Sequence, residues 1–192
     1  MAINAYARGV TDRFVLPLAK GLVRLGATAN AVTLTGLGAT LAGVAVVLAA
    51  SQRLGAVILA LATLTDAFDG TVARLRGEAS KLGAFSDSVA DRIGEAAIFG
   101  AIAWLLRDDA LFFGLAITAF AGAQITSYIR AKAESLGWQA TVGLVERPER
   151  MMVVVPALFF DVVPLAAAVL AAGTLITVAQ RVRAVIRQAS AP

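Results

Sequence analysis

Four aspartates fall in two pairs within the stretch DAFDGTVARLRGEASKLGAFSDSVAD, residues 66–91. Asp66 and Asp69 are three residues apart, and Asp87 and Asp91 are four apart, so on helices each pair shares one face. An uncharged run over residues 54–65 leads directly into the first pair, and carboxylates beside hydrocarbon are costly. Four like charges on two neighbouring helices repel one another unless cations neutralise them. The pattern therefore indicates a cation-binding site.

The side chains available limit the chemistry of this site. The chain has neither cysteine nor histidine, which excludes disulfides, thiolate and imidazole metal ligands, and cysteine or histidine catalysis. Oxygen-only ligands favour Mg²⁺, Mn²⁺ or Ca²⁺ over zinc, and two divalent ions balance four carboxylates. Such two-metal sites suit phosphoryl and phosphodiester displacement. The alternative is that the aspartates pair with Arg74, Arg76 and Arg92 near lipid headgroups.

The helices that must position the aspartates are predicted to cross a membrane. The 192 residues are 59% hydrophobic, with a mean hydropathy of +0.79, which is typical of multi-span membrane proteins. Residues 27–192 are predicted to form an all-α bundle of six transmembrane helices. Four spans are expected at residues 31–50, 54–73, 82–106 and 110–129, and two more within 151–180, which turn near 161–164. Together with residues 1–26 they are expected to form a single membrane domain, 1–192.

Residues 1–26 have the pattern of an amphipathic helix lying on the membrane surface beside the bundle. Apolar residues recur there at helical spacing, while basic residues fall on another face. The apolar positions are Val10, Phe14, Leu18, Leu22 and Leu25, and the basic ones are Arg13, Lys20 and Arg24. An ordinary soluble helix is the alternative.

The basic residues predict the orientation of the bundle. With a cytoplasmic N-terminus, all of the 17 basic residues except Arg53 and Arg107 fall on the cytoplasmic side. Both termini and the four aspartates are then cytoplasmic, in a multi-pass protein of the cell membrane. The net charge of +4 is interpreted as attraction to anionic membrane lipids, and no nucleic-acid partner is expected.

The aspartate stretch resembles the signature of the CDP-alcohol phosphotransferases, D-x-x-D-G-x-x-A-R, eight residues, then G-x-x-x-D-x-x-x-D. All eight fixed positions are present, as Asp66, Asp69, Gly70, Ala73, Arg74, Gly83, Asp87 and Asp91. Upstream, GATANAVT is similar to the family's G-x-T-P-N-x-V-T element. Asn30 and Thr33 are retained there, and Ala29 stands where proline is usual.

This resemblance implies a six-helix membrane enzyme, usually a homodimer, that displaces CMP from a CDP-linked lipid by an alcohol. It implies Mg²⁺ or Mn²⁺, two ions per subunit, held by Asp66, Asp69, Asp87 and Asp91, with Asp91 also the general base. It further implies that CDP-diacylglycerol is bound by Asn30, Thr33, Asp66, Asp69, Gly70, Ala73, Arg74, Gly83 and Asp87. A divalent-cation transporter is the alternative of a different class, and the nucleotide-binding signature argues against it.

A second stretch, SYIRAKAESLGWQATVGLVERPERMMVVV, is similar to the actinobacterial phosphatidylinositol phosphate synthases within this family. The likeness extends over nearly the whole chain. It implies a bacterial, actinobacterial enzyme that transfers the phosphatidyl group of CDP-diacylglycerol to 1D-myo-inositol 3-phosphate. Glycerol 3-phosphate, giving phosphatidylglycerol phosphate, is the alternative acceptor, because it too carries a phosphate.

An acceptor with a phosphate needs cationic hydrogen-bond donors, for which arginine is well suited. The resemblance maps this role to Arg130, Lys132, Arg150 and Arg181, and Ser127 and Arg147 are further candidate contacts to the acceptor. For each basic residue the alternative is an ordinary contact with lipid phosphate at the cytoplasmic end of a helix.

Overall fold

The computed structural model describes residues 16–77 and 80–190, without the side chains of residues 66, 67 and 69. Every regular element in these ranges is a helix, which confirms the predicted all-α class. A helix described over residues 16–24 is named α1. It is followed by α2 (Ala29–Ala49), α3 (Gln52–Arg76), α4 (Lys81–Leu105), α5 (Ala110–Ser135), α6 (Arg147–Phe160) and α7 (Val163–Ala189).

Four of the described helices, α2, α3, α5 and α7, are long and apolar enough to cross a membrane. Helix α6 has 14 residues, about 21 Å of helix, against a hydrocarbon core of about 30 Å. Helix α4 has 25 residues but carries five charged side chains between its first residue and residue 95, namely Lys81, Asp87, Asp91, Arg92 and Glu95. The count of six membrane crossings therefore stays a prediction.

Polar side chains define where several helices begin. The hydroxyl of Thr28 accepts a hydrogen bond from the backbone N–H of Ala31 at the start of α2. Asp109 likewise accepts from Leu111 and Phe112 at the start of α5. Such N-caps satisfy N–H groups that have no partner within the helix. Between α6 and α7, Asp161 adopts a left-handed conformation with φ of 60°, which confirms the predicted turn near 161–164.

The described residues fall into two compact units. The first contains the residues up to 42 together with 58–94, and its core is formed by Ala19, Val32 and Val72. Leu22 of α1 packs against this core, whereas Leu18 and Leu25 are exposed. Residues 1–15 of the predicted surface helix lie outside the described residues, so that assignment also stays a prediction.

The second unit contains residues 43–57 and those from 95 onward. Helix α7 packs along α5 and also contacts α6. The buried face of α7 consists mostly of the small residues alanine, glycine and threonine, and Leu170, Thr174 and Thr177 are among its fully buried residues. Small residues on this face allow close packing of helices, which is a common feature of membrane bundles.

Candidate active site

A pocket of about 840 Å³ lies within the first unit. Its lining includes every predicted nucleotide-binding residue whose side chain is described, namely Asn30, Thr33, Gly70, Ala73, Arg74, Gly83 and Asp87. These residues come from the start of α2, the second half of α3 and the start of α4. The structure therefore brings the two sequence elements together at one cavity, although their roles in binding stay predictions.

The start of α4 approaches α2 closely at this pocket. The hydroxyl of Ser80 accepts a hydrogen bond from the N–H of Gly83 at 3.0 Å. A Cβ atom on Gly83 would lie 3.2 Å from the Ser80 hydroxyl and 3.7 Å from Oδ1 of Asn30. A side chain at residue 83 would therefore crowd the polar groups that line the cavity. Gly70 has more room, since a Cβ atom there would meet only Nη1 of Arg74, at 3.9 Å.

Arg74 and Arg76 of the last turn of α3 have different surroundings. Nη2 of Arg74 donates to the hydroxyl of Thr71 at 3.0 Å, and the exposed Arg74 side chain lines the pocket. Nη1 of Arg76 donates to the carbonyl of Ala27 at 3.2 Å, which ties the turn before α2 to α3. Arg74 is thus the arginine that can meet an anionic ligand in the pocket.

The aspartates lie on the two helices that flank this pocket. Asp87 lines it directly, and both Asp87 and Asp91 are half-buried on α4. Asp66 and Asp69 belong to α3, but their side chains are outside the described set. Among the side chains that are described, no three metal-ligating groups cluster. The four-aspartate site therefore stays a prediction, and its oxygen-only donors fit Mg²⁺ or Mn²⁺.

The pocket also has lining residues that the sequence did not predict, among them Thr28, Ser80 and Lys81. Lys81 places an ammonium group at the first residue of α4. It lies in the eight-residue spacer of the signature, which has no fixed positions. A helical signal was available, because Lys81, Ala84 and Asp87 recur at intervals of three and all line the pocket.

In the second unit, Arg150 of α6 forms an ion pair with Glu95 of α4. Nε and Nη2 of Arg150 both lie 2.5 Å from Oε1 of Glu95. Nη1 donates to the carbonyl of Val145 at 3.2 Å. The side chains are only 2% and 1% exposed. The predicted acceptor residue Arg150 is therefore deeply buried beside a carboxylate.

Arg181 of α7 uses all three of its nitrogens within the same unit. Nε donates to the carbonyl of Val142 at 2.9 Å, and Nη1 donates to the carbonyl of Thr126 at 2.7 Å. Nη2 donates to Oε1 of Glu146 at 2.6 Å. The guanidinium thus connects α7 to α5 and to two residues of the segment that precedes α6.

Other groups of α7 hold the same segment, residues 138–146. The N–H of Val145 donates to the hydroxyl of Thr177 at 3.0 Å, and the Gln188 side chain bonds both backbone groups of Gln139 at 2.9 and 2.6 Å. Gly143 passes so close to α7 that a Cβ atom would lie 2.6 Å from Cγ2 of Thr177. This segment is therefore fixed along α7.

The remaining predicted acceptor residues lie at helix ends. Arg130 pairs with Glu134 at 2.9 Å on the exposed last turns of α5, and Lys132 is exposed in the same turn. The hydroxyl of Ser127 donates to the carbonyl of Ala123, and Arg147 is the half-buried first residue of α6. Glu95 and Glu146 are the residues that the sequence did not predict here. Glu95 continues the four-residue series Gly83, Asp87, Asp91, which could have signalled it.

Residues 27–180, which include both the aspartate stretch and the segment around Arg150, match the family model of CDP-alcohol phosphatidyltransferase. The chain belongs to the CDP-alcohol phosphatidyltransferase family. Similar curated proteins are named phosphatidylinositol phosphate synthase. One from Corynebacterium glutamicum is 36% identical over 93% of this chain and 87% of its own length. One from Streptomyces avermitilis is 34% identical over 98% of this chain and 84% of its own length.

A third relative, from Mycobacterium marinum, is 34% identical over 77% of this chain and 65% of its own length. Solved structures of the Mycobacterium tuberculosis phosphatidylinositol phosphate synthase are also similar. The one with CDP-DAG bound has a TM-score of 0.83 at 30% identity, covering 90% of this chain and 94% of that chain. The complex with manganese and citrate has a TM-score of 0.81 at 29% identity, covering 90% and 89%.

Proposed function

We propose that this protein is a phosphatidylinositol phosphate synthase, which transfers the phosphatidyl group of CDP-diacylglycerol to 1D-myo-inositol 3-phosphate and releases CMP. The observation that carries the proposal is the identity of 34–36% to proteins of that name over 93–98% of the chain. The pocket formed by the signature residues supports it.

The protein acts in the bacterial cell membrane as a homodimer. Each subunit is one domain of six transmembrane helices, α2 to α7, with residues 1–26 on the membrane surface. Both termini and the pocket face the cytoplasm. The four strongly apolar helices and the distribution of basic residues support this arrangement. It places the aspartates where a water-soluble acceptor can meet a lipid donor.

The CDP group of the donor occupies the 840 Å³ pocket. Gly70 and Gly83 leave room for it, Asn30 and Thr33 contribute polar groups from α2, and Arg74 meets the diphosphate. An arginine suits this role because its planar fork of N–H groups matches phosphate oxygens.

Asp66, Asp69, Asp87 and Asp91 hold two divalent ions, Mg²⁺ or Mn²⁺. When bound, such ions neutralise the diphosphate and the developing charge on the leaving group. The absence of histidine and cysteine from the chain leaves carboxylates as its suitable ligands for these ions. The manganese complex of the Mycobacterium tuberculosis protein supports this choice of metal.

Asp91 takes the proton of the attacking hydroxyl, since no histidine is present to do so. The oxygen of the acceptor bonds to the phosphorus of the phosphatidyl group as the bond from that phosphorus to the CMP oxygen breaks. Arg130, Lys132, Arg150 and Arg181 bind the acceptor's phosphate, with Ser127 and Arg147 beside them.

The test is CMP release by purified protein with CDP-diacylglycerol, Mg²⁺ or Mn²⁺, and a panel of acceptors. Release with inositol 3-phosphate, and not with inositol or glycerol 3-phosphate, is the expected result. Release with glycerol 3-phosphate alone would reassign the enzyme to phosphatidylglycerol phosphate synthesis. No release with any acceptor, together with uptake of Mn²⁺ into liposomes that contain the protein, would point to cation transport.

A further inference from the structure

We propose that Glu146 controls binding of the acceptor, because its carboxylate pairs with Arg181 until the phosphate of the acceptor replaces it. The inference rests on the proposed function only in requiring an acceptor that carries a phosphate. It concerns how that phosphate gains access to a guanidinium that already has partners.

The three partners of Arg181 differ in their freedom to leave. Two are backbone carbonyls, of Thr126 in α5 and of Val142 in the segment held along α7. These cannot move without unwinding a helix turn or releasing that segment. The third is the side chain of Glu146, which is 36% exposed, whereas Arg181 is 5% exposed. The carboxylate is the only one of the three partners that a side-chain rotation can remove.

Charge explains why the carboxylate binds Arg181 when the acceptor is absent and why phosphate replaces it when the acceptor is present. A buried arginine left without an anion is costly, so a carboxylate beside Arg181 stabilises the protein without substrate. A phosphate dianion offers the same guanidinium more charge and more acceptor oxygens. The two anions repel each other if both stay on Arg181. The incoming phosphate therefore displaces the carboxylate.

The backbone of Glu146 is held at the start of α6 by a contact that does not involve Arg181. Glu146 and Glu149 form a capping box, in which the N–H of Glu146 donates to Oε2 of Glu149 at 3.0 Å and the N–H of Glu149 donates to the Glu146 carboxylate. The first of these bonds uses only the backbone of Glu146 and is independent of Arg181. This half of the capping box can thus persist at the helix start while the carboxylate leaves the guanidinium.

The ion pair between Arg150 and Glu95 does not have a carboxylate that can rotate away so easily. Glu95 is 1% exposed, against 36% for Glu146, and it lies within α4. Burial therefore restricts rotation of the Glu95 carboxylate away from Arg150, whereas the more exposed carboxylate of Glu146 can rotate away from Arg181. Arg150 and Arg181, which we propose bind the same phosphate, therefore pair with carboxylates that differ in their freedom to move.

The test compares Glu146→Gln with Glu149→Gln in the CMP-release assay. Glu146→Gln keeps the size of the side chain but removes the charge that competes with phosphate. We expect its KM for inositol 3-phosphate to fall about three- to tenfold, with the KM for CDP-diacylglycerol unchanged. Glu149→Gln removes the same charge from the same helical turn and alters the same capping box, so its KM should stay within about twofold of wild type.

A second variant, Glu146→Asp, keeps the charge and an effective N-cap but withdraws the carboxylate from Arg181 by one methylene. It should also lower the KM for the acceptor. A raised or unchanged KM in both variants, an equal fall in Glu149→Gln, or failure of both variants to fold would overturn the proposal. Absence of CMP release by the wild type with every phosphorylated acceptor would instead refute the proposed function.

Discussion

The guanidinium of Arg150 and the carboxylate of Glu95 form a buried ion pair, in which Nη2 lies 2.5 Å from Oε1. Removing two charges from water costs several kcal/mol, which the pair recovers only through close contact and further hydrogen bonds. Arg150 has such a bond, from Nη1 to the carbonyl of Val145. The pair therefore fixes the start of α6 against α4, and it holds in place one of the cations that we propose for binding the acceptor phosphate.

Glu95→Ala should lower the free energy of unfolding by about 3–5 kcal/mol, because it removes the carboxylate that contacts Nε and Nη2 of the buried Arg150. Denaturant unfolding in detergent micelles measures the change. The matched control is Glu134→Ala, which removes the partner of Arg130 from an ion pair in which both side chains are about half exposed. That loss should be below about 1 kcal/mol. Equal losses in the two variants would contradict a special role for the buried pair.

Arg150→Ala should raise the KM for inositol 3-phosphate far more than the KM for CDP-diacylglycerol. It removes a guanidinium that we propose donates hydrogen bonds to the acceptor's phosphate, and Arg150 does not line the nucleotide pocket. Initial rates of CMP release at varied concentrations of each substrate give the two values. Arg183→Ala removes an exposed arginine from α7 and should change neither KM by more than about twofold. A uniform rise of both KM values in Arg150→Ala would show that the residue serves only the fold.

The helices were largely predictable because uncharged runs and turn residues mark them in the sequence. The differences have a physical cause, since hydropathy detects the apolar part of a helix and not its polar extension. Helix α5 was predicted to end at residue 129 but continues to Ser135, through alanine, lysine, arginine and glutamate, which favour helix. The apolar run begins at residue 151, but helix α6 already begins at Arg147, with Pro148 in its first turn as the sequence predicts.

The pocket was predictable to the extent that a motif fixes it. The signature has fixed separations between residues of α3 and α4, so Gly70, Arg74 and Asp87 could be assigned to one site. These three residues do line one cavity. No motif indicated which carboxylates pair with the buried arginines. Glu95 lies 55 residues before Arg150, and Glu146 lies 35 before Arg181. Ion pairs between residues so far apart in the sequence depend on how the helices pack, and the residues next to each partner do not reveal that packing.

Gly83→Val should raise the KM for CDP-diacylglycerol about tenfold, equivalent to ~1.4 kcal/mol of binding. The new side chain would crowd Ser80 and Asn30 at the wall of the pocket. Gly100→Val is the control, because residue 100 is also in α4 and a Cβ atom there meets nothing within 4 Å. Steady-state kinetics with the lipid varied compares them. A similar KM in the two variants would place the nucleotide elsewhere.

Lys81→Gln should weaken binding of CDP-diacylglycerol about three- to tenfold, because it removes an ammonium group from the lining of the pocket. The effect should shrink as salt is raised, since screening weakens exposed charge interactions. Lys20→Gln removes an exposed lysine from α1 of the same unit and should leave binding unchanged. Equilibrium binding of the lipid at low and high salt distinguishes the two, and equal effects would refute a direct contact by Lys81.

Asp91→Asn should abolish turnover while CDP-diacylglycerol still binds, because the amide keeps the shape of the side chain but cannot accept the hydroxyl proton. Loss of a general base lowers rates by about 10²- to 10⁴-fold. Asp161→Asn is the matched control, since it makes the same chemical change at the exposed turn between α6 and α7, where asparagine also tolerates the left-handed conformation. CMP release and lipid binding are measured on both variants. Near-normal turnover in Asp91→Asn would show that Asp91 is not the general base. Loss of lipid binding would show that Asp91 is needed to bind CDP-diacylglycerol.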